Sequence, residues 1–217
     1  VTTKPFIFDG DNGGRIEHLP FIIKTLDRLG VSAIILEDKV GLKKNSLFKE
    51  QSGVRQDTKK DFSKKIFVSK KSAVSKDFMV IARIESFILG KDINDALSRA
   101  NAYSKAGADA ILVHSKIKTC KDIDDFMEKW DNRCPIIIVP TKYYETPTQH
   151  YRDLNISAVI WANHNFRACI DIIRKTSTQI YNDESLINVE SKIASVKDIF
   201  NYTGEDKLKE DEKKYFK

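Results

Sequence analysis

Six short apolar runs punctuate the chain, at Pro5–Phe8, Ala33–Leu36, Phe78–Ala82, Ala110–Val113, Ile136–Val139 and Ala158–Trp161. Each is too short for a helix and apolar at consecutive positions, the pattern of a strand buried on both faces of a parallel sheet. Around them, apolar residues recur with a helical period over Ile16–Leu29, Asp57–Lys70, Asn94–Lys105, Asp122–Trp130, Thr148–Leu154 and Asn165–Tyr181. The tetrapeptide Asp92-Ile93-Asn94-Asp95 reads as a helix start. Leu29-Gly30-Val31 and Ala106-Gly107-Ala108-Asp109 read as helix exits into the next strand. Asp183–Tyr202 predicts two helical stretches around Asn188 and Val189.

Strand–helix alternation of this kind is an α/β architecture, either an open doubly wound sheet or a closed barrel. The residues that end each run separate the two. They are Asp9 and Asp11, Glu37 and Asp38, Arg83 and Glu85, His114 and Ser115, Thr141 and Lys142, and Asn163 and His164. A barrel opens all its strand C-termini onto one mouth, whereas an open sheet concentrates its chemistry at one switch point. Polar groups at six successive ends therefore predict a (β/α) TIM-type barrel. Six strands are two short of eight, so we expect the first two strand–helix units to be lacking from this chain. The partial barrel, strands three to eight plus C-terminal helices, is placed in residues 1–203, and a charged helix or tail in residues 204–217.

Composition narrows the setting. With 41% hydrophobic and 31% charged residues and only 14 Pro plus Gly, the 217-residue chain is neither collagen-like nor wholly disordered. No apolar run is long enough for a membrane span, and no signal-peptide pattern opens the sequence. Cys120, Cys134 and Cys169 form neither a disulfide framework nor a zinc spacing, which predicts a reducing, cytoplasmic setting. The formal charge of +6 raises nucleic acid or a phosphorylated substrate as a partner. However, the lysines cluster in the stretch from Lys59 to Lys76, which reads as a solvated helix face, and no nucleic-acid motif accompanies them. We expect no nucleic-acid and no membrane partner.

The strand ends carry the candidate chemistry. Asp9-Gly10-Asp11-Asn12-Gly13-Gly14 either forms a polar turn or places two carboxylates where a divalent cation, Mg²⁺ by preference, can be held partly through water. Glu37 and Asp38 add two acids to the same mouth. Arg83 ends an apolar strand and cannot shed its charge, so it needs an anionic ligand or an ion pair with Glu85 or Glu37. His114 is placed for hydrogen bonding or proton transfer, or is a satisfied structural histidine. His18 and His150 sit in helical segments and read as surface residues. The long polar loop from Lys39 to Gln56 is either a lid, with Lys43, Asn45 and Ser46 closing over a phosphoryl group, or a loop without a role. No G-x-S-x-G, Walker A or Rossmann glycine motif is present.

The segment Glu37-Asp38-Lys39 to Lys43-x-Asn45-Ser46 resembles the signature of the phosphoenolpyruvate mutase/isocitrate lyase superfamily, specifically its phosphomutase branch. The resemblance continues through VIARIESFILG, AGADAILVHSK, PIIIVPTKYYETPT and VIWANHNFRA. It implies an Mg²⁺-dependent isomerase that interconverts phosphoenolpyruvate and phosphonopyruvate. It also implies a barrel that exchanges its C-terminal helices between subunits, as a homodimer or homotetramer, and a small phosphorylated keto or enol acid as substrate. Carried over by position, Asp9, Asp11 and Glu37 match metal-site acids, and Arg83 and His114 match groups that bind phosphoryl and carboxylate. Lys43, Asn45, Ser46 and Leu47 match the gating loop, with Lys43 and Asn45 among its catalytic positions and Ser46 and Leu47 facing substrate. Lyases of the superfamily carry a cysteine in that loop, and this chain has Lys43-Lys44-Asn45-Ser46 instead. The family's upstream W-G-S-G-type turn and phosphoryl-accepting aspartate have no counterpart in this chain, in agreement with the count of strands. Alternatives are a phosphonopyruvate hydrolase, or a catalytically incompetent scaffolding module.

Overall fold

The structure, a computed structural model, describes residues 3–41, 44–48 and 50–216. It divides into two compact units, residues 1–162 and residues 163–217. The first contains β1 (Ile7–Asp9), α1 (Leu19–Arg28), β2 (Ala33–Glu37), β3 (Lys39–Val40), β4 (Arg55–Gln56), α2 (Lys59–Ser72) and β5 (Met79–Ile84). It continues through α3 (Ile93–Lys105), β6 (Ala110–Val113), α4 (Lys121–Lys129), β7 (Ile136–Ile138), α5 (Thr148–Asp153) and β8 (Ala158–Val159).

All six long-range strands are parallel, in the order β1–β2–β5–β6–β7–β8. A doubly wound sheet reverses its strand order partway, and this one never does. The two faces also differ. Ile34, Leu36, Val80, Ala82, Ile111, Val113 and Ile138 pack with Leu19 and Ile23 of α1, Phe62 and Ile66 of α2, Tyr103 of α3, Phe126 of α4 and Tyr151 of α5. The opposite face gathers Ala33, Ile35, Ile81, Ala110, Leu112, Ile137 and Val139, with no helical residue among them. Helices on one side and strand residues alone on the other make this an open half-barrel, the expected barrel architecture with six staves.

Local chemistry explains the boundaries. Asp92 caps α3 by accepting from Asp95 N at 2.9 Å, and Thr58 caps α2 by accepting from Asp61 N at 3.0 Å. Buried positions in α3, Ala96, Arg99, Ala100 and Tyr103, keep the three- and four-residue spacing of one helix face. After β1 the chain turns back against β2, with Gly10 N bonded to Ile35 O at 2.8 Å. A Cβ at Gly10 would lie 2.7 Å from Ile34 Cδ1 and 3.0 Å from Ile35 O, so only glycine permits this approach.

Three readings of the sequence need adjusting. The first strand begins two residues later and ends one residue later than its apolar run, and Ile7 and Phe8 are 42% and 38% exposed rather than buried. The cause is that β1, at one end of the sheet, pairs with β2 alone. β8 is likewise a short edge, and Trp161 at the end of its run is exposed. The loop after β2 is not wholly irregular: Lys39 pairs with Gln56 and Val40 with Arg55 in an antiparallel ladder that closes its base.

The second unit consists of α6 (His164–Asp183), a 3₁₀ turn at Glu190–Lys192, α7 (Val196–Thr203) and α8 (Glu205–Tyr215). Ser195 and Asp198 form a reciprocal capping box at the start of α7, and Gly204, with φ of +79°, ends it. Phe166, Ile173, Tyr181, Ile187, Phe200 and Tyr202 are exposed. Among the described residues no helix is long and apolar enough to cross a membrane.

Candidate active site

Side chains alternate across a strand, so residues two apart share a face. Glu37 continues the face of Ala33 and Ile35, Arg83 that of Ile81, and His114 that of Ala110 and Leu112. Asp9 pairs in register with Ile35, and Glu37 with Arg83. Parity alone therefore directs these four side chains to the concave side of the sheet, at its C-terminal edge.

Glu85, fully buried, is the hub of the cluster. Its Oε1 accepts from Arg83 Nε at 2.6 Å, and its Oε2 accepts from Ser46 Oγ at 2.6 Å and from Lys39 Nζ at 3.4 Å. Arg83 Nη2 donates to Ser46 Oγ at 3.0 Å, and Arg83 Nε lies 3.6 Å from Glu37 Oε2. Lys39 Nζ also donates to Ser46 Oγ at 2.9 Å and to Lys44 O at 2.8 Å. The Ser46 hydroxyl thus seats the loop on two cations and one carboxylate. Both partners that the sequence offered for Arg83, Glu85 and Glu37, are in place together.

Electrostatics follow from this packing. Desolvation alone would raise the Glu85 carboxyl. Its contacts with His114, Arg83 and Ser46 outweigh that penalty and hold it well below the usual carboxylate range. Burial lowers the His114 imidazole, and the neighbouring Arg83 and Lys39 charges lower it further against the pull of Glu85. His114 Nδ1 lies 2.8 Å from Arg83 Nη2 and 3.1 Å from Glu85 Oε1. Nδ1 accepts from the guanidinium in one tautomer of the ring and donates to the carboxylate in the other, so the two contacts compete for one nitrogen. Glu37 is raised chiefly by burial; Arg83 opposes the rise, and the charges of Glu85 and Asp9 add to it.

Asp38 does not join the mouth as the sequence reading had it. One residue after Glu37, it points to the helix side, where Oδ2 accepts from Tyr103 Oη at 2.7 Å, Gln56 Nε2 at 2.8 Å and Arg99 Nη1 at 3.2 Å. Its Oδ1 accepts from Glu85 N at 3.0 Å, so it positions the hub residue from behind. Burial pushes its carboxyl up to about 6 against these hydrogen bonds.

The remaining candidates are more dispersed. Asp9 Oδ1 accepts from Asp11 N at 3.1 Å, Asp11 O accepts from Glu37 N at 2.6 Å, and Lys65 Nζ holds Asn12 O at 2.8 Å. The turn is therefore tied to the end of β2. Among the described residues, however, the Asp9, Asp11 and Glu37 carboxylates do not all approach within 4.8 Å of one another. Asn45 faces its own loop, its Oδ1 accepting from Leu47 N at 2.9 Å, and Leu47 is half-buried. Lys43 lies outside the described residues. Neither Lys39 nor Glu85 was given a site role by the sequence, although Glu85 was offered as an ion-pair partner of Arg83 and Lys39 belongs to the Glu37-Asp38-Lys39 signature. His18 is exposed, and His164 opens α6 in the second unit.

A singly wound α/β sheet with carboxylates, an arginine and a histidine at its strand ends is the architecture of the phosphoenolpyruvate mutase/isocitrate lyase superfamily. Within it, the family model for phosphoenolpyruvate phosphomutase matches residues 1–181, and the chain belongs to that family. The phosphoenolpyruvate phosphomutase of Tetrahymena pyriformis is 46% identical over 217 residues, which cover 99% of this chain and 71% of that protein. The crystal structure of phosphoenolpyruvate phosphomutase from Streptomyces platensis subsp. rosaceus matches with a TM-score of 0.93 at 32% identity, covering 100% of this chain and 75% of that one. A phosphonopyruvate hydrolase crystallised in complex with oxalate and Mg²⁺ matches with a TM-score of 0.90 at 31% identity, covering 100% and 74%.

Proposed function

We propose that this chain provides the mutase site that interconverts phosphoenolpyruvate and phosphonopyruvate, forming the C–P bond of phosphonates. The observation that carries this reading is the 46% identity with the Tetrahymena phosphomutase across 99% of the chain. The seating of Ser46 on Arg83 and Lys39 supports it, because the reaction needs a lid. In the forward direction the bond between phosphorus and the enol oxygen breaks and one between phosphorus and C3 forms, with no atom gained or lost. The phosphoryl group and the enolate must be held together and kept from water throughout.

Arg83 and His114 are assigned to the phosphoryl and carboxylate oxygens. A substrate oxyanion is a stronger acceptor for Arg83 Nη2 than the Ser46 hydroxyl that occupies it here. Lys43, Asn45, Ser46 and Leu47 are assigned to the lid face that meets substrate. Glu85, Lys39 and Asp38 act as positioning residues. The donor set suits Mg²⁺, since Glu37 is a desolvated carboxylate raised further by Asp9, an arrangement a divalent cation relieves. Asp9, Asp11 and Glu37 would hold it, directly or through water. When bound, Mg²⁺ supplies positive charge for the developing enolate and carboxylate oxygens. The exposed apolar residues of α6 and α7, Phe166, Ile173 and Phe200 among them, support exchange of the C-terminal helices between subunits of a homodimer or homotetramer.

The test is a ³¹P NMR time course on phosphonopyruvate and Mg²⁺ with the full gene product. The expected result is loss of the phosphonate resonance and growth of phosphoenolpyruvate. The likeness to phosphonopyruvate hydrolase favours one second reading, in which inorganic phosphate appears without phosphoenolpyruvate. An unchanged spectrum rejects both.

A further inference from the structure

We infer that Cys120, Asp124 and His150 form a binding site for one zinc-class divalent cation, separate from the acids assigned to Mg²⁺. Cys120 immediately precedes α4, and Asp124 lies four residues on, which puts the thiol and the carboxylate on one helix face. His150, from the first turn of α5, reaches across so that its Nε2 lies 2.7 Å from Asp124 Oδ1. One ligand atom from each of the three lies within 4.8 Å of the other two, the one such group of His, Cys, Asp and Glu among the described residues. Tetrahedral zinc with ordinary bond lengths spaces its ligand atoms roughly 3.4–3.6 Å apart, so small side-chain adjustments close the site.

The donor set selects the ion. Thiolate and imidazole are ligands for zinc and its cobalt substitute, whereas Mg²⁺ takes oxygen almost exclusively. Cys120 and His150 line a groove of about 530 Å³, which gives water access to a fourth coordination position. Without a cation the cluster is poorly suited to other chemistry. Burial, with the Asp124 charge, pushes the Cys120 thiol up to about 12, which leaves it protonated and unreactive. The imidazole bonds the carboxylate rather than the sulfur, and the thiol faces that carboxylate, which disfavours its thiolate. Coordination would deprotonate the sulfur outright and place a thiolate at the favourable end of α4. The bound ion would tie α4 to α5, which follow the adjacent strands β6 and β7.

Cobalt binding tests this on the full chain, reduced and stripped with chelator. We expect one equivalent of Co²⁺ to give a thiolate-to-cobalt charge-transfer band, bleached by zinc and untouched by excess Mg²⁺. Cys120→Ser should abolish the band, and a Cys134→Ser/Cys169→Ser double variant should retain it. His150→Ala, at a position 41% exposed and tolerant of change, should weaken cobalt binding at least tenfold while the circular dichroism spectrum stays the same. Absence of the band in the unmodified chain, its survival in Cys120→Ser, or full affinity in His150→Ala overturns the proposal.

Discussion

Ser46→Ala isolates what holds the loop between β3 and β4, the lid of the proposed function. The hydroxyl accepts from Lys39 Nζ at 2.9 Å and Arg83 Nη2 at 3.0 Å, and donates to Glu85 Oε2 at 2.6 Å. Hydrogen bonds to charged groups contribute about 1.5–3 kcal/mol each, and three sharing one atom do not add. After substitution Arg83 and Lys39 keep Glu85 as a common counterion, and Lys39 keeps Lys44 O. A loss of about 2–3 kcal/mol in closure raises the population of the open loop roughly 30- to 150-fold. Amide hydrogen exchange reads this directly. Phe48 N, bonded to Asn45 O, and Val54 N, bonded to Gln51 O, report on the lid, while amides of the β5–β6 ladder report on global unfolding. The expected result is faster exchange at Phe48 and Val54 with the ladder unchanged. If lid amides keep their protection, or lid and ladder accelerate together, Ser46 is not the latch.

Three further outcomes follow from the same geometry. Glu85→Gln leaves Arg83 and Lys39 without their shared counterion and should cost about 3–5 kcal/mol in denaturant-measured stability at neutral pH. Because the folded-state pKa of Glu85 lies below its ordinary 4.5, its contribution is full above that value and fades as pH falls below it, so the two proteins should converge on acidification. A gap that is constant from pH 7 to pH 3 contradicts this. Gly10→Ala forces a methyl against Ile34 and Ile35 O and should lower the melting temperature; on the proposed reading it should also lessen the stabilisation by Mg²⁺, and an unchanged Mg²⁺ response would separate the turn from the acids assigned to the cation. Asp92→Ala should cost about 1 kcal/mol through loss of the α3 cap, read as a lower denaturant midpoint with unchanged slope.

How far the sequence reaches depends on whether a property is local. Ala110–Val113 is read to the residue, because a short apolar run between a glycine exit and a polar end has no competing interpretation. The ends of the sheet are read less well, since Ile7 and Phe8 look like core residues and only the absence of a second neighbour exposes them. The two-residue β3 and β4 carry no apolar period, so Lys39, Val40, Arg55 and Gln56 pass for loop. Arg83 and His114 are legible from strand parity, but Asp38 beside Glu37 shows how one step in that parity sends a carboxylate to the opposite face. Asp124 and His150 of the cysteine–aspartate–histidine group lie 26 apart in sequence, and only the fold brings them together.

Charge balance in the cluster links its parts. Arg83 and Lys39 bring two positive charges, and Glu37, Glu85 and nearby Asp9 bring three negative ones. On the proposed reading the substrate adds a carboxylate and a phosphoryl group worth about −1.5 to −2. Closing a lid over such an excess of negative charge would desolvate it without compensation, which is prohibitive in a dry site. The cations already present are committed: Arg83 and Lys39 are both shared with Glu85. Further positive charge must therefore arrive with the substrate, and the carboxylates that burial has left least satisfied, Glu37 above all, are where a divalent cation gains most. Metal and substrate binding are then coupled through the same electrostatic deficit, and by linkage each must strengthen the other.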